Sequence, residues 1–95
     1  MSATIDGITM HVQVDNQILV KELDKLILSR GVWTTILFKY QDWDKRKLKF
    51  RQVMYSIRRY HKTNDDYRQI SKLNIMDTQS ALIAEKLIEW LEGSK

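Results

Sequence analysis

The sequence predicts an α+β fold: a twisted antiparallel β-sheet of four strands followed by a C-terminal α-helix, with an extra N-terminal element read as a helix. Three observations carry this. Apolar residues alternate with polar ones over 8–14, β-branched and aromatic residues crowd 32–75, and apolar residues recur at helical spacing over the last fifteen or so positions. The 95 residues are enough for one domain with a modest core, and the 43% apolar and 29% charged content is that of a folding chain. The expected organisation is a single domain over 1–95, with a strand and helix in 1–30, a basic β-meander in 31–76 and the closing helix in 77–92. Only Met1 to Ile5 and Gly93 to Lys95 are expected to lie outside the fold.

Ile8, Met10, Val12 and Val14 alternate with Thr9, His11 and Gln13, the period of a half-buried strand. Asp15 or Asn16 then has the chemistry of a helix cap. Leu19, Leu23, Leu26 and Ile27 follow at three- and four-residue spacing before Arg30 and Gly31, which predicts a helix over 16–29. The competing reading continues 26–29 as strand.

Val32 to Trp43 is rich in β-branched and aromatic residues and predicts a long strand. Asp44 to Lys47 is its turn, Phe50 to Lys62 the next strand, Asn64 to Asp66 a second turn and Tyr67 to Ile75 the last strand. Asp77 or Thr78 then caps a helix whose Ala84, Leu87, Ile88 and Leu91 form one apolar stripe. Leu82, Ile83 and Trp90 widen that stripe beyond what one sheet needs. Leu82, Ile83, Leu87, Trp90 and Leu91 are therefore expected at the interface of a homodimer, the alternative being a deeper monomeric core.

Composition narrows the chemistry. Without cysteine there is no disulfide, thiolate metal site or thiol nucleophile, which fits a reducing, cytoplasmic setting, and no apolar run is long enough to span a bilayer. Two histidines, His11 and His61, at no metal-ligand spacing and no glycine-rich phosphate loop predict neither an enzyme nor a cofactor. Asp42 and Asp44 admit two readings, a metal pair or ordinary turn residues beside Lys45.

The 16 basic and 12 acidic residues sum to +4, but the distribution is uneven. Between Lys39 and Lys72 eleven cations face four acids, so this stretch carries +7 and the remainder −3. Trp33, Phe38, Tyr40, Trp43, Phe50, Tyr55, Tyr60 and Tyr67 are interleaved with those cations. Cations follow phosphates and flat rings stack on bases that a duplex hides, so the expected partner is single-stranded DNA, with RNA as an alternative. Neither predicted helix is basic enough to read a duplex groove.

Strand alternation places Val53, Tyr55 and Ile57 on one face, expected to be the core, and Met54, Ser56, Arg58 and Tyr60 on the other, expected to be exposed with Arg68 and Lys72. Trp33, Phe38 and Tyr55 are expected in the core; Tyr40, Trp43 and Tyr60 are expected to stack. The candidate nucleic-acid contacts are Lys39, Tyr40, Trp43, Lys45, Lys49, Arg51, Arg58, Tyr60, His61, Arg68 and Lys72. A bland reading makes Arg46 and Lys47 a solvated turn. A protein-interaction role, as regulatory subunit of a polymerase or transcription complex through Leu82, Ile83 and Trp90, is the competing function.

The segment from Tyr55 to Leu87, YSIRRYHKTNDDYRQISKLNIMDTQSALIAEKL, resembles the core of the transcriptional positive cofactor four family of single-stranded DNA-binding coactivators. The matching order is the run Ile57, Arg58, Arg59, Tyr60, His61, an acidic turn, a basic strand, the stretch Leu73, Asn74, Ile75, Met76 and a closing helix. It covers about a third of the chain. The resemblance implies a curved four-stranded sheet, dimerisation through the helix, and channels for single-stranded DNA. It also implies phosphate contact by Arg58, base stacking at the position of His61, where the family has tryptophan, and a basic role near Lys72. The compact bacterial or bacteriophage members are the nearest in form. That implies a replication, recombination or transcription role in a bacterial cell or phage-infected host.

Overall fold

A computed structural model describes residues 7–93. Among the described residues the fold is α+β: six strands in one curled antiparallel sheet and one C-terminal helix. The strands are β1 (Val12–Val14), β2 (Gln17–Ser29), β3 (Trp33–Asp44), β4 (Lys49–Phe50), β5 (Met54–Thr63) and β6 (Asp66–Met76), followed by α1 (Asp77–Gly93). Their order in space is β1-β2-β3-β5-β6, with β4 pairing the end of β3. The ends expected to stay outside the fold lie outside the described residues, apart from Gly93, which closes α1.

The helix expected over 16–29 is instead the 13-residue strand β2, so the sheet has more strands than the four expected. The physical reason is visible in its pairing with β3, whose register shifts between Glu22 and Asp24 and again between Ile27 and Ser29. Each irregularity changes the alternation by one residue, which turns a period-two apolar pattern into one that imitates three- and four-residue spacing. The strand expected over 8–14 shrinks to Val12–Val14. Residues 8–10 cross one face of the sheet without strand pairing.

That crossing decides which face is the core. The Glu22 carboxylate accepts hydrogen bonds from the Met10 amide and the Thr9 hydroxyl, each 3.0 Å, and Lys25 Nζ donates to the Ile8 carbonyl at 2.8 Å. Met10 is thereby held against Ile36, Phe38, Tyr40 and Tyr60, the buried apolar cluster. Thr34 and Ser56 are buried on the same side. The face of Met54, Ser56 and Tyr60, expected to be exposed, is therefore the inner one, and Tyr55 and Ile57 are only half-buried on the outer one.

Gly31 turns β2 into β3 with φ 138°, a region in which an L side chain is strained. At the start of α1 the Gln79 side chain accepts from the Met76 amide at 2.9 Å, one half of a capping box, so the cap lies one residue before the expected Asp77. The helix runs over the outer face of the sheet, anchored at its start by the Tyr55 hydroxyl donating to Asp77 Oδ1 at 3.0 Å. None of its described residues is buried. Between it and Leu28, Leu37, Tyr55, Ile57 and Ile75 lies an open apolar groove of about 580 Å³.

Candidate nucleic-acid interface

Register fixes which side chains share a face. Trp33 lies opposite His61, Thr35 opposite Arg59, and His61 opposite Arg68. Paired residues of antiparallel strands point to the same side, so Trp33, Arg59, His61 and Arg68 converge on the outer face near the Gly31 turn. The Trp33 and His61 ring centroids are 4.4 Å apart, and the Arg59 guanidinium sits 4.3 Å above the Trp33 ring. Trp33 is 44% exposed, so the tryptophan expected in the core is a surface ring. It opens β3 immediately after an exposed turn, with only His61 and Arg59 of β5 against its ring.

A second cluster forms at the other end of β3. Trp43 lies opposite Phe50 in register and meets its ring edge-on at 5.0 Å, while Lys21 Nζ is 5.5 Å from the Phe50 centroid. Lys45, Arg46, Lys47, Lys49 and Arg51 surround this pair, all exposed. The loop is held in shape from within. Asp44 Oδ1 accepts from the Arg46 amide at 2.9 Å and the Lys47 amide at 3.1 Å, and the Arg51 amide donates to the Asp42 carbonyl at 2.7 Å. These bonds, the Lys47 amide foremost, hold the Asp44 carboxyl below its ordinary pKa, with Arg51 Nε 3.8 Å away adding to the effect. Asp44 thus does turn chemistry, and among the described residues no group of three or more His, Asp or Glu side chains could hold a metal ion.

The remaining expected contacts divide. Lys39 is exposed on the outer face beside Leu37 and Tyr55. Arg58 lies opposite Lys72 on the inner side, half-buried, donating from Nε to Ser56 Oγ at 3.1 Å and from Nη1 to Gln69 Oε1 at 3.2 Å. Ser56 Oγ in turn donates to Asn74 Oδ1 at 2.6 Å. Lys72 is exposed. A register shift between Arg59 and Tyr60 turns Arg68 to the outer side, so Arg58 and Arg68 do not share a face as expected.

Tyr40 and Tyr60, expected as exposed stacking rings, are 4% and 6% exposed. Burial raises the pKa of both phenols; for Tyr60 the nearby Arg58 opposes this. Their faces are closed by Met10 and Ile8, a crossing that local alternation could not reveal. The rings that reach the surface are instead Trp33, exposed, with half-buried His61 at one end, and half-buried Trp43 and Phe50 at the other. Of the cations, Arg59 and Lys21 were not singled out as contacts, although their opposition to ring-bearing positions follows once the strand register is known.

Comparison with known protein families, with curated proteins and with solved structures returns no match.

Proposed function

We propose that the protein binds single-stranded DNA with little sequence specificity, without catalysis, by phosphate contacts and base stacking on its sheet. The observation that carries this reading is the exposed Trp33 ring paired with half-buried His61, with Arg59 over it and Arg68 beside it. Stacking on such rings is sequence-tolerant because every base has a flat face, and the cations supply the salt-dependent part of the affinity. The curled antiparallel sheet ending in one helix is also the coarse architecture expected of the positive cofactor four family, which supports a role in replication, recombination or transcription. Arg58, beside Lys72 on the inner face, is the phosphate contact that resemblance implies.

The test is titration of labelled oligo-dT at several salt concentrations, with duplex and RNA of equal length as competitors. Each phosphate neutralised steepens the fall of log affinity with log salt by about 0.7. Preference for duplex counts against the reading, and preference for RNA redirects it.

A homodimer accompanies this function in our reading. The chain exposes 7390 Å², about 1,600 Å² more than the ~5,800 Å² of a compact monomer of 11.4 kDa. Its radius of gyration, 15.7 Å, likewise exceeds the ~12 Å of a compact domain of this length. Loss of that excess on both protomers is the scale of a permanent homodimer interface. Leu82, Ile83, Leu87, Trp90 and Leu91, all exposed along α1 and of which Ile83 and Leu87 line the apolar groove, are the residues to supply it. The same surface suits the alternative role, a regulatory subunit seated on a polymerase or transcription complex. A protein partner retained in a pull-down after nuclease treatment favours that alternative.

A further inference from the structure

Alternation along β3 puts Trp33, Leu37 and Trp43 on one side of the strand, the side that faces α1. Trp33 and Trp43 are ten residues apart, about 33 Å along an extended strand. Between them Leu37 faces the apolar groove together with Ile83 and Leu87 of the helix. The two ring-and-cation clusters are therefore separate in space, with the helix-facing apolar middle of the sheet dividing them. Each is complete in itself: a ring pair, a cation beside the ring, and further exposed cations around it.

The loop cluster is the denser in charge. From Asp44 to Arg51 five cations accompany one acid, and that acid is occupied in holding the loop. Its backbone is tied to β3 by the β4 pairing and by Gln41 Nε2, which donates to the Arg51 carbonyl at 3.0 Å. A charge array fixed this way needs little ordering when it meets a phosphate chain.

Resting on the single-strand reading above, we infer that each protomer carries two independent single-strand sites, one at Trp33, Arg59, His61 and Arg68 and one at Trp43, Phe50, Lys21 and the loop cations, and so holds two unpaired segments at once. One continuous short strand cannot serve both. About ten nucleotides at the stacked spacing of ~3.4 Å are needed to cover the distance. The activity this adds is bridging, two unpaired strands held on one sheet.

The experiment is a stoichiometric titration at low salt with a thymidine tetranucleotide, too short to reach from one cluster to the other, paired with energy transfer between donor- and acceptor-labelled oligomers. Saturation at two oligomers per protomer, with transfer between labels, is expected. Trp33→Ala, and separately Lys45→Glu with Lys47→Glu, each bring the number down to one. The second pair alters only exposed side chains, so its effect does not depend on the packing around Trp43; Trp43→Phe, which keeps a ring, retains two. Saturation of the wild type at one oligomer, or two still bound after the lysine changes, overturns the two-site inference while leaving single-strand binding intact. No binding of any length of oligo-dT at low salt overturns the underlying reading as well.

Discussion

Trp33 and His61 face each other across β3 and β5, their ring centroids 4.4 Å apart and their planes tilted by 47°. Arg59, two residues before His61 on the same side of β5, covers the Trp33 ring at 4.3 Å. For a base to stack on that face the guanidinium swings aside, where it meets the phosphate as a counter-charge.

The cation contribution is separable from the rings. Lys39→Ala removes an exposed positive charge that lies between the two clusters, so its expected effect is an unchanged salt slope, whereas Arg68→Ala, beside Trp33, should make the slope at that site shallower by about 0.7, with thermal stability unchanged in both. Affinity measured across a salt series, beside a melting curve, checks both halves.

Phe38, the immediate neighbour of Lys39 on β3, is fully buried and is expected to behave in the opposite way. Phe38→Ala leaves a cavity in a core of few residues and should lower stability by about 3 to 5 kcal/mol, a large fraction of what a domain of this size has. Urea unfolding monitored by circular dichroism gives the number.

Leu48 adopts φ 52° at the loop between β3 and β4 while its side chain is 73% exposed. An apolar residue in the left-handed region is strained with no packing to offset it, whereas asparagine and glycine enter that region readily. Leu48→Gly and Leu48→Asn are expected to raise stability, by about 0.5 to 1 kcal/mol, and a shift of the urea midpoint to higher concentration is the readout.

The buried phenols predict an alkaline limit. Tyr40 and Tyr60 have pKa values raised above the ordinary 10.0, chiefly because burial disfavours the phenolate. Below pH 10 both folded and unfolded chains carry neutral phenols and stability is unaffected. Above it the unfolded chain ionises first and binds fewer protons, so stability falls as pH rises towards the folded-state values. The double change Tyr40→Phe and Tyr60→Phe should flatten that fall, as followed by unfolding midpoints between pH 8 and pH 11.

The dimer is tested through its helix. Leu87→Asp puts a carboxylate on the apolar side of α1 next to the groove, and light scattering should then report a monomer where the wild type is twice that mass. A wild type that is monomeric at every concentration contradicts the proposed association.

Much of the coarse fold was legible because β3, β5, β6 and α1 each obey one simple local rule: dense β-branched and aromatic content, turns of Asp and Asn, and helical apolar spacing. Their expected limits differ from the observed ones by a few residues. The N-terminal third was not legible, since two irregularities in β2 disguised a strand as a helix and residues 8–10 cover a face by a long-range crossing. The site inherited that error. With the covering segment unseen, the face of Tyr40 and Tyr60 looked open, and Trp33 looked like core. Of the expected cations Lys39, Lys45, Lys49, Arg51, Arg68 and Lys72 are at the surface and Arg58 is half-buried, but the strand register divides them between the two faces, which local alternation does not reveal.

The most direct measurement compares oligo-dT binding at low salt by two proteins that both carry Lys45→Glu and Lys47→Glu, so that only the Trp33 site is read, one of them with Trp33→Ala in addition. Stacking of one base is worth about 1 to 3 kcal/mol, so the Trp33 substitution should weaken binding by roughly 5- to 150-fold while melting temperature stays close to that of the protein that keeps Trp33. Equal affinity in the two proteins, with the wild type binding duplex as well as single strand, would contradict the idea that surface rings on this sheet grip unpaired bases.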